Sequence, residues 1–232
     1  MRRLVESFTK PRIDVSVSDR YPKDMNTSSA GVLQKWYKDG KYIKADYNGY
    51  QGLAEKLVYW LLTFTDIDPS KYVKYNVCEI WEDGTLISNG CWSYDFRNGC
   101  DEISFKRILM SQAIPLSADY ETVREAVMNV TDLDPKDYMD LNLYIDAITF
   151  NDDRHYGNMS VLKCSDGSYK FSPIFDNGGA CLSNTIMYPM QTDFNICIEL
   201  LVKAKPFNTD FMKQIEFNKL IGLQYSEFVE SV

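Results

Sequence analysis

The order of apolar and polar positions splits the chain into a strand-rich first part and a helix-rich second part. Ile13-Asp14-Val15-Ser16-Val17-Ser18 alternates apolar and polar residues, the period of a strand with one buried face. Val32–Tyr37 and Lys41–Tyr47 flank Asp39-Gly40, and Tyr72–Trp81 and Thr85–Trp92 flank Asp83-Gly84. An Asp-Gly dipeptide between β-rich runs predicts a hairpin at each place. Between the hairpins, Leu53, Leu57, Trp60 and Leu61 recur at helical spacing, predicting a helix over 52–63 that ends before Asp68-Pro69-Ser70.

From Ser93 the pattern changes. Ser93–Gly99 is a polar crossing segment, and helices are predicted near 101–111, 118–130 and 135–150. Ser117-Ala118-Asp119-Tyr120-Glu121 reads as a helix start, with the serine as cap and acids in the first turn. Asp134-Pro135 starts the next helix, with proline at its first position. Met159–Cys164 and Ser168–Ile174 flank Asp166-Gly167 as a third, short hairpin, and further helices are predicted near 194–204, 208–221 and 225–231. The expected fold is α+β and two-lobed: residues 1–92 as a β-sheet with one helix, residues 93–232 mainly helical around a short hairpin.

A hydrophobic fraction of 45% is ample for a core. The net charge of −8 argues against a nucleic-acid partner, which usually meets a basic face. It does not exclude ATP, whose phosphates are neutralised locally. The six cysteines form no Cys-x-x-Cys pair and only one histidine is present, so a structural zinc site is not expected. The thiols read as reduced and mostly buried, as in a cytoplasmic protein. Met1-Arg2-Arg3-Leu4-Val5-Glu6 lacks the apolar run of a signal peptide, although secretion without one stays open. No stretch approaches the ~20 apolar residues of a membrane span.

The third hairpin brings two polar loops side by side: Asn151-Asp152-Asp153-Arg154-His155-Tyr156-Gly157-Asn158 before it, and Ile174-Phe175-Asp176-Asn177-Gly178-Gly179 after it. Asn158 follows Asp153 by five positions and Asp176 follows it by 23. A base, an amide and a carboxylate on adjacent loops suit Mg²⁺-dependent phosphoryl transfer, in which Asp153 faces the acceptor hydroxyl and Asn158 and Asp176 hold the metal. Either loop alone reads as an ordinary polar turn; their junction carries the functional reading. Asp152 is the rival base, separated from Asp153 only by the spacing to Asn158. Lys44, between Ile43 and Ala45, faces either solvent or a cleft. Glu55, 11 positions on, supplies an ion pair that would aim its amine at the ATP phosphates. Ser28-Ser29-Ala30-Gly31 offers backbone N–H groups over the phosphates without being a Walker loop. His155, counted on the nucleotide side, is a nucleophile, a base or a brace for the loop, and bracing is preferred because Asp153 already supplies a base. Arg154 contacts a phosphate or fixes a carboxylate. Trp92 and Tyr94 border an adenine or, more commonly for such residues, pack in the core.

These motifs resemble the Asn-x-Asp-Arg-His-x-x-Asn and Phe-Asp-x-Gly motifs of the HipA-like kinases, most of all the small CtkA-type members. The resemblance runs from about residue 26 to 182. It implies a two-lobed Ser/Thr kinase related to protein kinases and phosphatidylinositol 3/4-kinases, using ATP and Mg²⁺ on an unknown protein substrate. It puts the catalytic Asp on Asp153, the metal ligands on Asn158 and Asp176, and the strand Lys and helix Glu on Lys44 and Glu55. The family's Ser-x-Ala-Gly-x-x-x-Lys phosphate loop falls on Ser28–Lys35. Two departures from the family pattern are expected: no counterpart of the extra N-terminal subdomain of full-length HipA toxins, which puts an antitoxin partner in doubt, and a short region after Asp176.

Overall fold

The computed structural model of the chain describes residues 10–20 and 34–204. The Ser28–Gly31 loop and the helices expected near 208–221 and 225–231 lie outside these residues.

Strands β1 (Arg12–Val15), β2 (Lys35–Lys38), β3 (Lys41–Ala45), β4 (Asn76–Glu82) and β5 (Thr85–Tyr94) form a five-stranded sheet in the order β1-β4-β5-β3-β2. β1 is parallel to β4 and the other pairs are antiparallel. Both Asp-Gly turns form as the pattern predicts. Asp39 and Asp83 each take φ 50°, with φ 71° at Gly40 and 77° at Gly84, the doubly left-handed turn that matches strand twist. β1 stops at Val15 rather than continuing to Ser18. There the Asp19 carboxylate accepts from the Ser16 N–H at 2.9 Å and its hydroxyl at 2.8 Å, closing a short 3-10 turn over Val17–Asp19.

Helix α1 (Gln51–Leu62) lies directly on β5. A Cβ at Gly52 would stand 2.5 Å from the Gly90 carbonyl carbon, so only glycine permits this approach. Along β3 the side chains alternate: Ile43 and Ala45 join Val15, Trp36, Cys78 and Ile80 in one buried cluster, and Lys44 points to the opposite face.

The second part begins later than the sequence pattern suggests. β5 continues through Ser93 and Tyr94, which pair with Tyr42 and Lys41, so the polar crossing starts at Asp95. Asp101–Ser104, expected to be helical, is strand β6, because it pairs with β7 (Ser160–Lys163). Tertiary pairing overrides the local pattern there. Ser104 then caps α2 (Phe105–Ser111), accepting the Arg107 N–H at 3.3 Å. α3 (Tyr120–Thr131) is capped by Asp119 rather than Ser117, through the Thr122 N–H at 2.9 Å. In α4 (Lys136–Thr149) Pro135 stands at the cap, one position before the helix. β8 (Tyr169–Phe171) completes a three-stranded sheet, β6-β7-β8, and α5 (Phe194–Ala204) follows. The main core joins α1 to the second part through Val58, Leu62, Phe105, Leu109, Met139 and Ile145. The architecture is α+β: a sheet lobe with one helix, and a mainly helical lobe that includes the short sheet.

Candidate active site

Lys44 is where the two parts meet. Its Nζ donates to Glu55 Oε1 at 3.0 Å and to Asp176 Oδ1 at 2.9 Å, and stands 5.3 Å from the centre of the Tyr75 ring. Glu55 reaches it from α1, and its other oxygen accepts the Asn177 N–H at 2.8 Å. Burial opposes the charge on Lys44, but the two carboxylates outweigh it and raise its pKa well above the usual lysine value. Burial likewise pushes against ionised Asp176, yet Lys44 and Lys35 hold it well below the carboxylate range. Glu55, deeper and beside Asp176, is raised by burial despite Lys44. Asp176 takes φ 60°, a left-handed conformation uncommon outside glycine. Its own N–H bonds the Tyr75 hydroxyl at 3.3 Å, which helps to hold it there.

The preceding loop stands directly below. Asp153 opens to solvent, and no side chain donates to its carboxylate among the described residues. The protein packed around it, with Asp176 nearby, raises its pKa. Asp152 differs: its carboxylate accepts the hydroxyl of the buried Tyr188 at 2.6 Å. Asn158 is buried; its Nδ2 donates to the Asp153 carbonyl at 3.3 Å, while its Oδ1 has no partner. An unpartnered buried oxygen is costly and invites a cation or donor. With the Asp176 carboxylate it supplies hard oxygens of the kind Mg²⁺ takes alongside phosphates. Among the described residues no cluster of three or more His, Cys, Asp or Glu side chains forms a metal cage. The two loops touch because Gly179 has no side chain: a Cβ there would lie 2.7 Å from Asn151 Oδ1 and 2.9 Å from the Asp153 Cβ.

Arg154 is 1% exposed and joins these loops from within. Its guanidinium bonds Asp146 Oδ2 and Oδ1 at 3.0 and 3.1 Å, the Asn158 and Phe175 carbonyls at 3.1 and 2.8 Å, and Asn177 Oδ1 at 2.7 Å. Of its two sequence alternatives the carboxylate-fixing one is realised. His155 is exposed, and its Nδ1 accepts the Gly157 N–H at 3.1 Å within the same turn.

No known family profile matches the chain, and no curated protein does. Among solved structures it is similar to the crystal structure of a Helicobacter pylori proinflammatory kinase, CtkA, at 17% sequence identity and a TM-score of 0.54, over 85% of this chain and 69% of that one. The fold is kinase-like. At this identity the likeness concerns the fold, and the site rests on the geometry of the chain itself.

In this kinase-like fold Trp92 pairs with Ile43 and packs with the cluster on the face away from Lys44, so core packing, not an adenine border, is what it does. A cavity of about 830 Å³ lies behind the crossing segment, with Tyr72, Tyr94, Phe96, Tyr138 and Ile174 among its walls. Lys44, Asp153, Asn158 and Asp176 do not line it, so this cavity is separate from the candidate site. Sequence reasoning did not foresee the parts of Asp146, Asn177, Tyr75 and Tyr188. A signal existed for Lys35: a two-residue turn at Asp39-Gly40 fixes the register that sets Lys35 opposite Lys44.

Proposed function

We propose that the chain is an ATP- and Mg²⁺-dependent kinase of HipA-like type that phosphorylates a Ser or Thr hydroxyl of a protein, with its two lobes joined by the crossing segment that follows Tyr94. One observation carries this reading: Lys44 holds Glu55 from α1 and Asp176 from the loop after β8 in one cluster, beside the open carboxylate of Asp153. Lys44 and Lys35 face one another across β2 and β3. Like charges directly opposite one another are unfavourable in a sheet unless something anionic answers them, as Asp176 and Glu55 do here. A polyphosphate would answer them in the same way, with Glu55 keeping the Lys44 ammonium oriented as it exchanges Asp176 for a phosphate oxygen. Asp153 orients the acceptor hydroxyl and takes its proton while the oxygen attacks the γ-phosphorus and the bond to the β-phosphate breaks, releasing ADP. Asn158 Oδ1 and the Asp176 carboxylate are the groups to hold Mg²⁺, which when bound neutralises charge on the phosphates. Ser28–Gly31 covers the phosphates in this scheme, and Ser28 or Ser29 is a site of autophosphorylation, detectable by mass spectrometry of residues 26–35 after incubation with MgATP.

The test is transfer from radiolabelled ATP by wild type and Asp176→Ala in a host lysate. Label on protein with wild type alone supports the proposal. Label confined to lipids or small molecules reassigns the acceptor to a phosphatidylinositol-kinase-like reaction. ATP binding without transfer to anything makes the chain a nucleotide-binding regulatory module.

A further inference from the structure

The β6–β7 register sets Asp101 opposite Lys163 and Glu102 opposite Leu162. Carried one step past Asp101, it brings Cys100 opposite Cys164. Both are half-buried free thiols, reachable by small reagents. They are close enough that Cys164 is the first cause of the raised pKa of Cys100. Facing residues of an antiparallel pair have Cα atoms roughly 4.5–5.5 Å apart, inside the roughly 4.4–6.8 Å that a disulfide spans. The other cysteines are placed differently. Cys78 and Cys91 are buried in separate clusters on opposite faces of the large sheet. Cys197 is buried, and burial pushes the Cys181 thiol up to about 11.

We propose that Cys100 and Cys164 form a reversible disulfide when the protein meets a peroxide or a low-molecular-weight disulfide. With hydrogen peroxide, one thiolate attacks a peroxide oxygen and the O–O bond breaks, giving a sulfenic acid and, after proton uptake, water. The neighbouring thiolate then attacks that sulfur, the S–O bond breaks, and the departing hydroxide takes a proton to become a second water. Two thiols lose two electrons in total and the peroxide gains them; with a low-molecular-weight disulfide, one thiolate breaks its S–S bond to form a mixed disulfide and release one small thiol, and the neighbouring thiolate breaks the mixed disulfide to release the second. The bond fastens the segment leaving β5 to the far end of β7, the strand that starts two positions after Asn158. It closes a loop holding α2, α3, α4 and the polar loop at 151–158. This inference does not rest on the kinase reading.

The experiment uses the full chain, reduced and then exposed to hydrogen peroxide or oxidised glutathione. Free thiols counted in denaturant fall from the six of the sequence to four. A non-reducing tryptic digest yields peptide 98–106 joined to 164–170, two hydrogens lighter than their sum. The thermal midpoint rises by roughly 5–10 °C, the scale expected for closing a long loop, and dithiothreitol reverses all three changes. Cys100→Ser, checked by circular dichroism to be folded, loses at most the one thiol of Cys164, capped as a sulfenic acid or mixed disulfide, gives no cross-linked peptide and shows no rise; Cys164→Ser is the reciprocal control. Retention of every thiol by the oxidised wild type, a link carried by other cysteines, or cross-links only between chains would overturn the proposal.

Discussion

Lys44 and Arg154 are both cations withdrawn from water and held by carboxylates, yet their surroundings differ in one respect. The fork of Arg154 is occupied on every side, by Asp146, Asn177 and two carbonyls, and the residue is 1% exposed. Lys44 keeps 13% of its side chain accessible, and its compact charge is shared between two carboxylates, one of them on the loop after β8. A planar guanidinium with five fixed donors sets geometry, whereas an ammonium on a flexible stem exchanges one oxygen for another. The first holds the two loops together, and the second keeps an accessible face. Asp152 and Asp153 repeat the contrast on the acidic side: one is tied to Tyr188 and the other is left open.

The sharpest way to break this comparison is at the acids. Asp153→Ala should lower phosphoryl transfer by about 10²–10⁴-fold, the usual contribution of a positioned base, with no fall in thermal midpoint. Asp152→Asn should cost under tenfold, and equal losses in steady-state kinetics would erase the distinction between them. Arg154→Met should come next, by stability rather than chemistry. It leaves the buried Asp146 without its cation, with only the Asn151 amide still donating to it, costing about 3–5 kcal/mol, read as a lowered denaturant midpoint with activity falling in parallel. Lys44→Met should reverse that balance, losing about 10²–10³ in kcat/KM with a smaller loss of stability, since the cleft lets water reach Asp176.

pH sharpens the same point. Asp176 is held below its unfolded value, so its pairing stabilises the fold above about pH 3.9 and the gain is lost as pH falls through the lower folded value. The stability gap between wild type and Lys44→Met should therefore be widest near neutrality and narrow in acid, as followed by urea melts. Asp153 is shifted the other way, so the acid limb of kcat/KM should lie above the ordinary carboxylate value, because the protonated form cannot accept the hydroxyl proton. The smallest effect is expected at Lys35, where Lys35→Ala should raise the KM for ATP several-fold with little change in kcat, a split visible in an ATP titration. A change confined to kcat would remove Lys35 from phosphate binding.

Most elements were legible along the chain because their causes are local. Asp-Gly at 39–40, 83–84 and 166–167 forces a reversal through residues that tolerate positive φ, and the apolar spacing over 52–63 shows a helix, although the stripe it buries is Ala54, Val58 and Leu62 rather than Leu53, Leu57 and Leu61. The junction of Asn158 with Asp176 was legible for the same reason, being the two ends of one short hairpin. What tertiary structure decided is what distant segments do to each other. Asp101–Ser104 is a strand only because β7 lies beside it. Asp153 is distinguished from Asp152 only because Tyr188, 36 residues away, claims the latter. Lys44 reaches Asp176 across 132 residues, and Arg154 closes on Asn177 and Phe175 across the hairpin. Residue types and spacing specify which groups a loop offers. Which of them is satisfied and which left open depends on the donors, acceptors and burial that the rest of the fold brings to each.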